Sequence, residues 1–210
     1  MLVAFDFDGT LSPTEMMVSL GQQCGVAAEI ESITRRAMND ELSYAESLRT
    51  RAKLLAGLAE PAVDTAFERV ALEPGAAALV DRLRAADHHV VVLTGGFERG
   101  VAAALEAEGV TVDAVVANRL VIADGALTGV VEGPLIEGTK DDQLSAVAAD
   151  NGIPMGETVA IGDGANDIPM LERAAVAIGY APKRAVRVHC DHVVDSMEEL
   201  ERRLQLLALL

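Results

Sequence analysis

The stretch Leu2-Val3-Ala4-Phe5-Asp6-Phe7-Asp8-Gly9-Thr10 decides how this chain folds. Its opening is short and apolar and ends at a glycine, the pattern of a parallel strand buried on both faces that gives way to a loop. A strand is predicted over 2–7. In extended backbone, residues i and i+2 share a face, so Asp6 and Asp8 point the same way at the strand's end. Apposed carboxylates repel unless a cation lies between them, and hard Mg²⁺ prefers such oxygens while keeping several waters. An EF-hand loop is excluded: counting from Asp6 puts Leu11 at the required glycine and Met17 at the required glutamate. A solvated turn after a strand is the remaining alternative for this cluster alone.

Outward from that strand, residues 15–70 carry no strand signal. Apolar residues recur at helical spacing through Met16, Met17 and Leu20, then Ile30, Ile33 and Met38, then Leu48, Leu54 and Leu55. Gly25, Asn39–Asp40 and Glu60–Pro61 supply breaks, which predicts an insertion of three or four short helices. After Glu73-Pro74-Gly75 the pattern alternates. Helices are predicted over 75–86, 97–108, 140–151, 167–174 and 197–209, and strands over 89–93, 113–117, 158–161, 175–178 and 192–194. Asp124-Gly125 between apolar runs marks a β-hairpin within 119–131. The expected fold is α/β: a doubly wound, Rossmann-like parallel sheet with helices on both faces, an inserted helical cap and a hairpin flap. The expected division is a core of residues 1–14 and 73–210 with a cap of residues 15–72. In such sheets ligands bind beyond the carboxyl ends of the strands.

Composition narrows the function classes. Among 210 residues, 33 Asp and Glu face 17 Lys and Arg, a formal charge of −16. That balance argues against a nucleic-acid binder working through a basic surface. No run reaches the ~20 apolar residues of a membrane span, so no membrane partner is expected. Two cysteines, Cys24 and Cys190, make no disulfide framework and point to a reducing cytoplasm. Only three lysines (Lys53, Lys140, Lys183) accompany 14 arginines. An acidic, lysine-poor, alanine-rich chain suits solubility in concentrated salt, and equally an ordinary acidic protein of a GC-rich genome. Neither a P-loop nor a GxGxxG fingerprint is present, against an NTPase or dinucleotide enzyme.

Three further polar clusters fall at strand ends or helix starts. Thr94-Gly95-Gly96 offers a hydroxyl and glycine-freed N–H groups at the opening of a helix, a phosphate-sized anion site or else a plain turn. Lys140, after Gly138-Thr139, begins a helix whose dipole disfavours a cation, so it calls for an anion nearby unless it is simply solvated. Gly162-Asp163-Gly164-Ala165-Asn166-Asp167 places two acids four apart among glycines, a metal site or an acidic turn. Each bland reading stands alone; all four clusters would converge on one crevice of one sheet.

Asp6-x-Asp8-x-Thr10, Thr94, Lys140 and Gly162-Asp163-Gly164-Ala165-Asn166-Asp167 resemble, in order, the four motifs of the haloacid dehalogenase (HAD) superfamily. The resemblance runs from residue 4 to about 195. Within it the chain is most similar to the phosphoserine phosphatase family. Glu15, the segments 37–38, 42–44 and 47–51, and the hairpin segments Ala117-Asn118-Arg119-Leu120, Leu127-Thr128-Gly129 and Glu132-Gly133 carry that likeness. Three positions depart from it: Gly9 and Thr94 stand where serine is common, and Tyr44 where phenylalanine is usual.

The resemblance implies a Mg²⁺-dependent phosphomonoesterase acting on a small-molecule substrate, O-phospho-L-serine, at the last step of serine synthesis. Asp6 would be the nucleophile, forming a phosphoaspartyl intermediate, with Mg²⁺ held by Asp6, the Asp8 carbonyl and Asp163. Asp8 would protonate the leaving oxygen and then activate water. Thr94, Gly95 and Gly96 would hold phosphoryl oxygens, and Lys140 would neutralise charge. Asp167 would order the metal's water shell, and Asn166 would orient substrate or Asp167. In the cap, Arg51 would clamp the carboxylate, Glu15 would meet the ammonium group, and Met38 and Tyr44 would close over the ligand. The alternatives are another small phosphomonoester or phosphoryl acceptor, or a non-catalytic phosphometabolite binder. The leucine-rich tail leaves both monomer and homodimer open.

Overall fold

In a computed structural model, residues 1–38 and 41–210 are described, so the break read at Asn39–Asp40 lies outside the described residues. Residues Leu2–Phe5 form β1, every side chain of which is buried. It is the centre of one sheet with β2 (His89–Phe97), β3 (Ala114–Ala123), β4 (Ala126–Glu132), β5 (Thr158–Gly162), β6 (Val176–Tyr180) and β7 (His192–Val194). The order is β4-β3-β2-β1-β5-β6-β7, parallel throughout except for the β3–β4 hairpin. Without β4 this is the doubly wound order, which reverses direction at β1.

Strand alternation divides the core in two. Val3, Phe5, Val90, Val92, Val159 and Ile161 face one side, where they meet α5 (Ala76–Ala85), α6 (Glu98–Glu108) and α9 (Met197–Leu206). Leu2, Ala4, Val91, Leu93 and Ala160 face the other, against α7 (Lys140–Asp150) and α8 (Ile168–Arg173). Each fully buried side chain of this size contributes about 1.5–3 kcal/mol through removal from water. This explains why the chain tolerates no polar residue along β1 until Asp6.

Among the described residues the insertion forms four helices: α1 (Met16–Cys24), α2 (Ala27–Met38), α3 (Tyr44–Leu54) and α4 (Glu60–Phe67). Gly25 ends α1 in the left-handed conformation at φ 75°, and Ser43 with Glu46 makes a capping box at the start of α3. Backbone hydrogen bonds tie the insertion to the hairpin: Gly57 N–H donates to Leu127 O at 2.8 Å, Leu127 N–H to Leu58 O at 2.9 Å, and Glu60 N–H to Gly125 O at 2.8 Å. Arg99 on α6 pairs with Glu60 and Asp64 of α4, and Arg49 on α3 pairs with Glu137 before α7 at 2.5 Å.

Two local readings are corrected. Thr94-Gly95-Gly96 is not a turn opening a helix; it lies inside β2, and α6 begins only at Glu98 after Phe97. While β2 advances from Leu93 to Phe97, β3 advances only from Val116 to Asn118, so the glycines form a bulge. The strand read at 113–117 and the first arm of the hairpin are one continuous strand, which leaves β2 and pairs on with β4.

Candidate active site

The carboxyl ends of β1, β2 and β5 meet where the strand order reverses, and each delivers a polar residue. Asp6 continues β1, its N–H donating to Ile161 O at 2.8 Å. Lys140, first residue of α7 and only 3% exposed, donates to Asp6 Oδ1 at 2.6 Å and to Asp167 Oδ1 at 2.5 Å. These are the anions that a lysine at a helix N-terminus calls for. Asp167 Oδ2 accepts the N–H groups of Asp163 (3.0 Å) and Gly164 (2.8 Å). Both oxygens of Asp167, expected to order a metal's water, are thus engaged in fixing Lys140 and the Asp163 backbone. Lys183 pairs with Asp163 Oδ2 at 3.0 Å.

Asp8 Oδ2 accepts the Met16 N–H at 3.2 Å, which ties it to the start of α1, while its buried Oδ1 has no partner among the described residues. Gly9 stands at φ 86°, and a Cβ there would lie 2.7 Å from the Asp163 carboxylate, so both conformation and space require glycine. In the β2 bulge, Gly96 N–H donates to Thr94 Oγ1 at 3.0 Å. Gly95 O accepts from Asn118 Nδ2 at 3.0 Å and from the Tyr44 hydroxyl at 3.4 Å. Buried Asn118 also receives the Leu135 N–H at 3.1 Å, so one side chain braces the bulge and the loop leading to Lys140.

So many acids in one buried place shift one another. Burial, then the Asp167 charge, push Asp6 up to about 8 against the opposing Lys140. Burial, then Glu15 and Asp6, raise Asp8 well above the carboxylate range. Burial raises Asp163, opposed by Lys183. Burial alone would lower the Lys140 ammonium, but Asp167 and Asp6 outweigh it and hold it above its ordinary value. Desolvation pushes the Tyr44 phenol up to about 12. A catalytic acid needs its proton at neutral pH, and burial with the neighbouring Glu15 and Asp6 shifts Asp8 in that direction.

Asp6, Asp163 and Asp167 bring buried oxygens within 4.8 Å of one another. No described residue hydrogen-bonds Asp6 Oδ2 or Asp163 Oδ1. A set of hard, negatively charged oxygens with raised pKa values fits a hard divalent cation. A measurable consequence follows. A carboxyl with a pKa raised on folding holds more protons in the native state, so stability falls as pH rises from the ordinary carboxylate range through about 8 for Asp6. Metal-free protein should therefore lose Tm from about pH 5 to about pH 8, and the Tm gained on adding Mg²⁺ should grow over that interval. Calorimetry in both states checks this; a Mg²⁺ shift that shrinks with rising pH would contradict it.

Above these groups lies a cavity of about 370 Å³ between the sheet and the four-helix insertion. From the sheet side, Asp6, Asp8, Thr94, Gly95, Gly96, Asp163 and Asn166 line it. From the insertion come Glu15, Met38, Tyr44 and Arg51. Lys140 and Asp167 sit sealed behind Asp6. Every candidate residue read from the sequence is thus in or directly behind one crevice. Arg51 donates through Nε to Ser47 O at 3.3 Å and pairs with no carboxylate among the described residues. Met38, 54% exposed, stands at the rim. Sequence reasoning missed Lys183, although lysine scarcity flagged it as much as Lys140. It also gave Asn118 no role of its own.

Known proteins agree with this geometry. Residues 3–172 match the family model of the haloacid dehalogenase-like hydrolases. The phosphoserine phosphatase of Halobacterium salinarum is 56% identical over 203 residues, covering 97% of this chain and 96% of that protein. A solved phospho-aspartyl intermediate analogue of a phosphoserine phosphatase superposes with a TM-score of 0.89 at 35% identity, covering 96% of this chain and 97% of that one. A substrate-bound phosphoserine phosphatase complex gives 0.89 at 34% identity, with the same coverage. With this likeness spanning nearly the whole length of both partners, the chain belongs to the phosphoserine phosphatase family of the HAD-like hydrolases.

Proposed function

We infer that the protein is a Mg²⁺-dependent phosphatase that hydrolyses O-phospho-L-serine to serine and phosphate, the last step of serine synthesis. The observation that carries the substrate is Arg51: a cation without a carboxylate partner among the described residues, in a strongly acidic chain, lining one cavity with Asp6 and Asp8. A planar guanidinium in that position suits a carboxylate bidentately, and Glu15 beside it suits an ammonium group. The relatives named phosphoserine phosphatase support the same substrate.

The chemistry divides among the residues as follows. Asp6 attacks phosphorus and forms a phosphoaspartyl bond as the serine oxygen leaves, taking the proton of Asp8. Asp8, now ionised, accepts a proton from water as its oxygen attacks the same phosphorus, which frees phosphate and restores Asp6. Mg²⁺ would be held by Asp6, Asp163 and the Asp8 carbonyl, and would supply the charge neutralisation that lets a carboxylate approach a phosphate dianion. Thr94 and the Gly95 N–H hold phosphoryl oxygens while Lys140 balances charge on Asp6, and Asn166 orients the ligand at the rim. Residues 15–72 act as the cap, with Tyr44 and Met38 over the ligand.

Phosphate release from phosphoserine, phosphothreonine and p-nitrophenyl phosphate, with and without Mg²⁺, tests the reading. Activity on the aryl ester but none on phosphoserine would refute the substrate. Arg51→Ala should raise KM for phosphoserine about 100-fold while changing KM for the aryl ester less than about threefold, and equal effects would refute the carboxylate clamp.

No described helix is long and apolar enough to cross a membrane. Both cysteines are free, as suits a reducing cytoplasm. The charge of −16 further supports adaptation to concentrated salt. Tm should rise between about 0.1 M and about 2 M KCl as screening removes self-repulsion; a protein most stable at low salt would rule this out.

A further inference from the structure

Of the chain's three lysines, two stand in the crevice. Lys140 is buried and donates to both Asp6 and Asp167. Lys183 differs: its side chain is 45% exposed, it lines the cavity, and it has one partner, Asp163 Oδ2 at 3.0 Å. Its place is fixed by the backbone. Lys183 N–H donates to Asp163 O at 3.0 Å, which pins the loop after β6 to the end of β5. The two residues before it are held as well. Ala181 sits at φ 38°, a left-handed conformation rare for a residue with a Cβ, and Pro182 is fixed by its ring. Strain of this kind persists only where the surroundings impose it, and it gathers at functional loops.

Charge then asks for a role. Asp6 and Asp167 share Lys140, Asp163 holds Lys183, and Asp8 lines the same crevice. With Asp8 carrying the proton it donates, a divalent cation leaves the site with a net positive charge only if Lys183 is counted. Without Lys183 a phosphate dianion would meet a neutral site at the floor of an acidic protein. A lysine also suits the place better than an arginine, being a compact point charge on a flexible stem that can turn from one anion to another.

We propose that Lys183 is a phosphoryl-binding cation of this site: it steadies Asp163 in the ligand-free protein, and its exposed ammonium binds phosphoryl oxygens once a divalent cation shares that carboxylate. The inference deepens the phosphatase reading and rests on it for the ligand's class, but the charge argument holds for any phosphoryl group. Inorganic phosphate is therefore the probe. Calorimetric titration of phosphate at saturating Mg²⁺, and of Mg²⁺ alone, is run on the wild type, Lys183→Met and Lys183→Arg. In Lys183→Met the phosphate Kd weakens about tenfold, the Mg²⁺ Kd is unchanged or tighter, and Lys183→Arg recovers most of the phosphate affinity. A phosphate Kd within about twofold of wild type in Lys183→Met overturns the proposal. So does weakened Mg²⁺ binding with unchanged phosphate binding, which would leave Lys183 as a support for Asp163 alone. Should the wild type fail to turn over phosphoserine while Lys183→Met still loses phosphate, the substrate reading falls and this inference stands.

Discussion

Asp6→Asn protein releases no phosphate: kcat falls by at least about 10⁴-fold, measured after deamidation back to aspartate has been excluded. An amide offers no nucleophilic oxygen to form the phosphoaspartyl bond, so the loss reaches every substrate, aryl esters included. The same variant carries an unusual second expectation. Asp6 is buried, and its carboxyl is pushed up to about 8, so its ionised form is held at a cost near neutral pH. A neutral side chain of the same shape removes that cost, and Lys140 keeps Asp167 at 2.5 Å as its partner. Metal-free Asp6→Asn should therefore melt no lower than the wild type at about pH 8. Residual turnover above about 1% of wild type would refute the nucleophile, and a sharply lower Tm would refute the electrostatic account.

Lys140→Met has the opposite profile, losing activity and stability together. It strips the counter-ion from Asp6 and Asp167, whose side chains are 5% and 0% exposed. Breaking a buried ion pair from one side costs about 3–5 kcal/mol, because the remaining charge stays out of water. The sign with pH follows Asp6, whose carboxyl is pushed up to about 8: the deficit grows as pH rises through that value and shrinks as acid protonates it. Activity should fall about 10³-fold through lost neutralisation of Asp6 and the transferring group. Lys140→Arg should not rescue it, since a site with 3% exposure has no room for a planar fork. Chemical denaturation at about pH 6 and about pH 9 measures the difference, and a deficit that grows on acidification would contradict the assignment.

How much of this was legible beforehand depended on how local each signal is. β1 and its terminal acids were readable because burial on both faces and the i, i+2 rule act within a few residues. The four insertion helices were readable from their apolar spacing and their breaks. The bulge at Thr94-Gly95-Gly96 was not, because glycines after a strand look the same whether the chain turns or stays extended beside a neighbour. What keeps it extended is Asn118, a partner on another strand whose bond to Gly95 O no window of sequence contains. Lys183 was hidden for the same reason: it follows β6, and only the adjacency of β5 and β6 brings it to Asp163. Gly9 had a visible signal, a glycine where serine is common, but its cause is the approach of Asp163, more than 150 residues away in the chain.

The hydrogen bonds that join Gly57, Leu58 and Glu60 to Gly125 and Leu127 bear on how such proteins diverge. Two segments far apart in the chain share one ladder, so neither can change length or register without the other. A recombinant chain whose helices at 15–72 come from a relative with a different length or register there, and which keeps its own hairpin, would break three backbone pairings at once. The heritable unit of specificity in this architecture is thus discontinuous: the inserted helices travel with residues 119–132, or they do not travel.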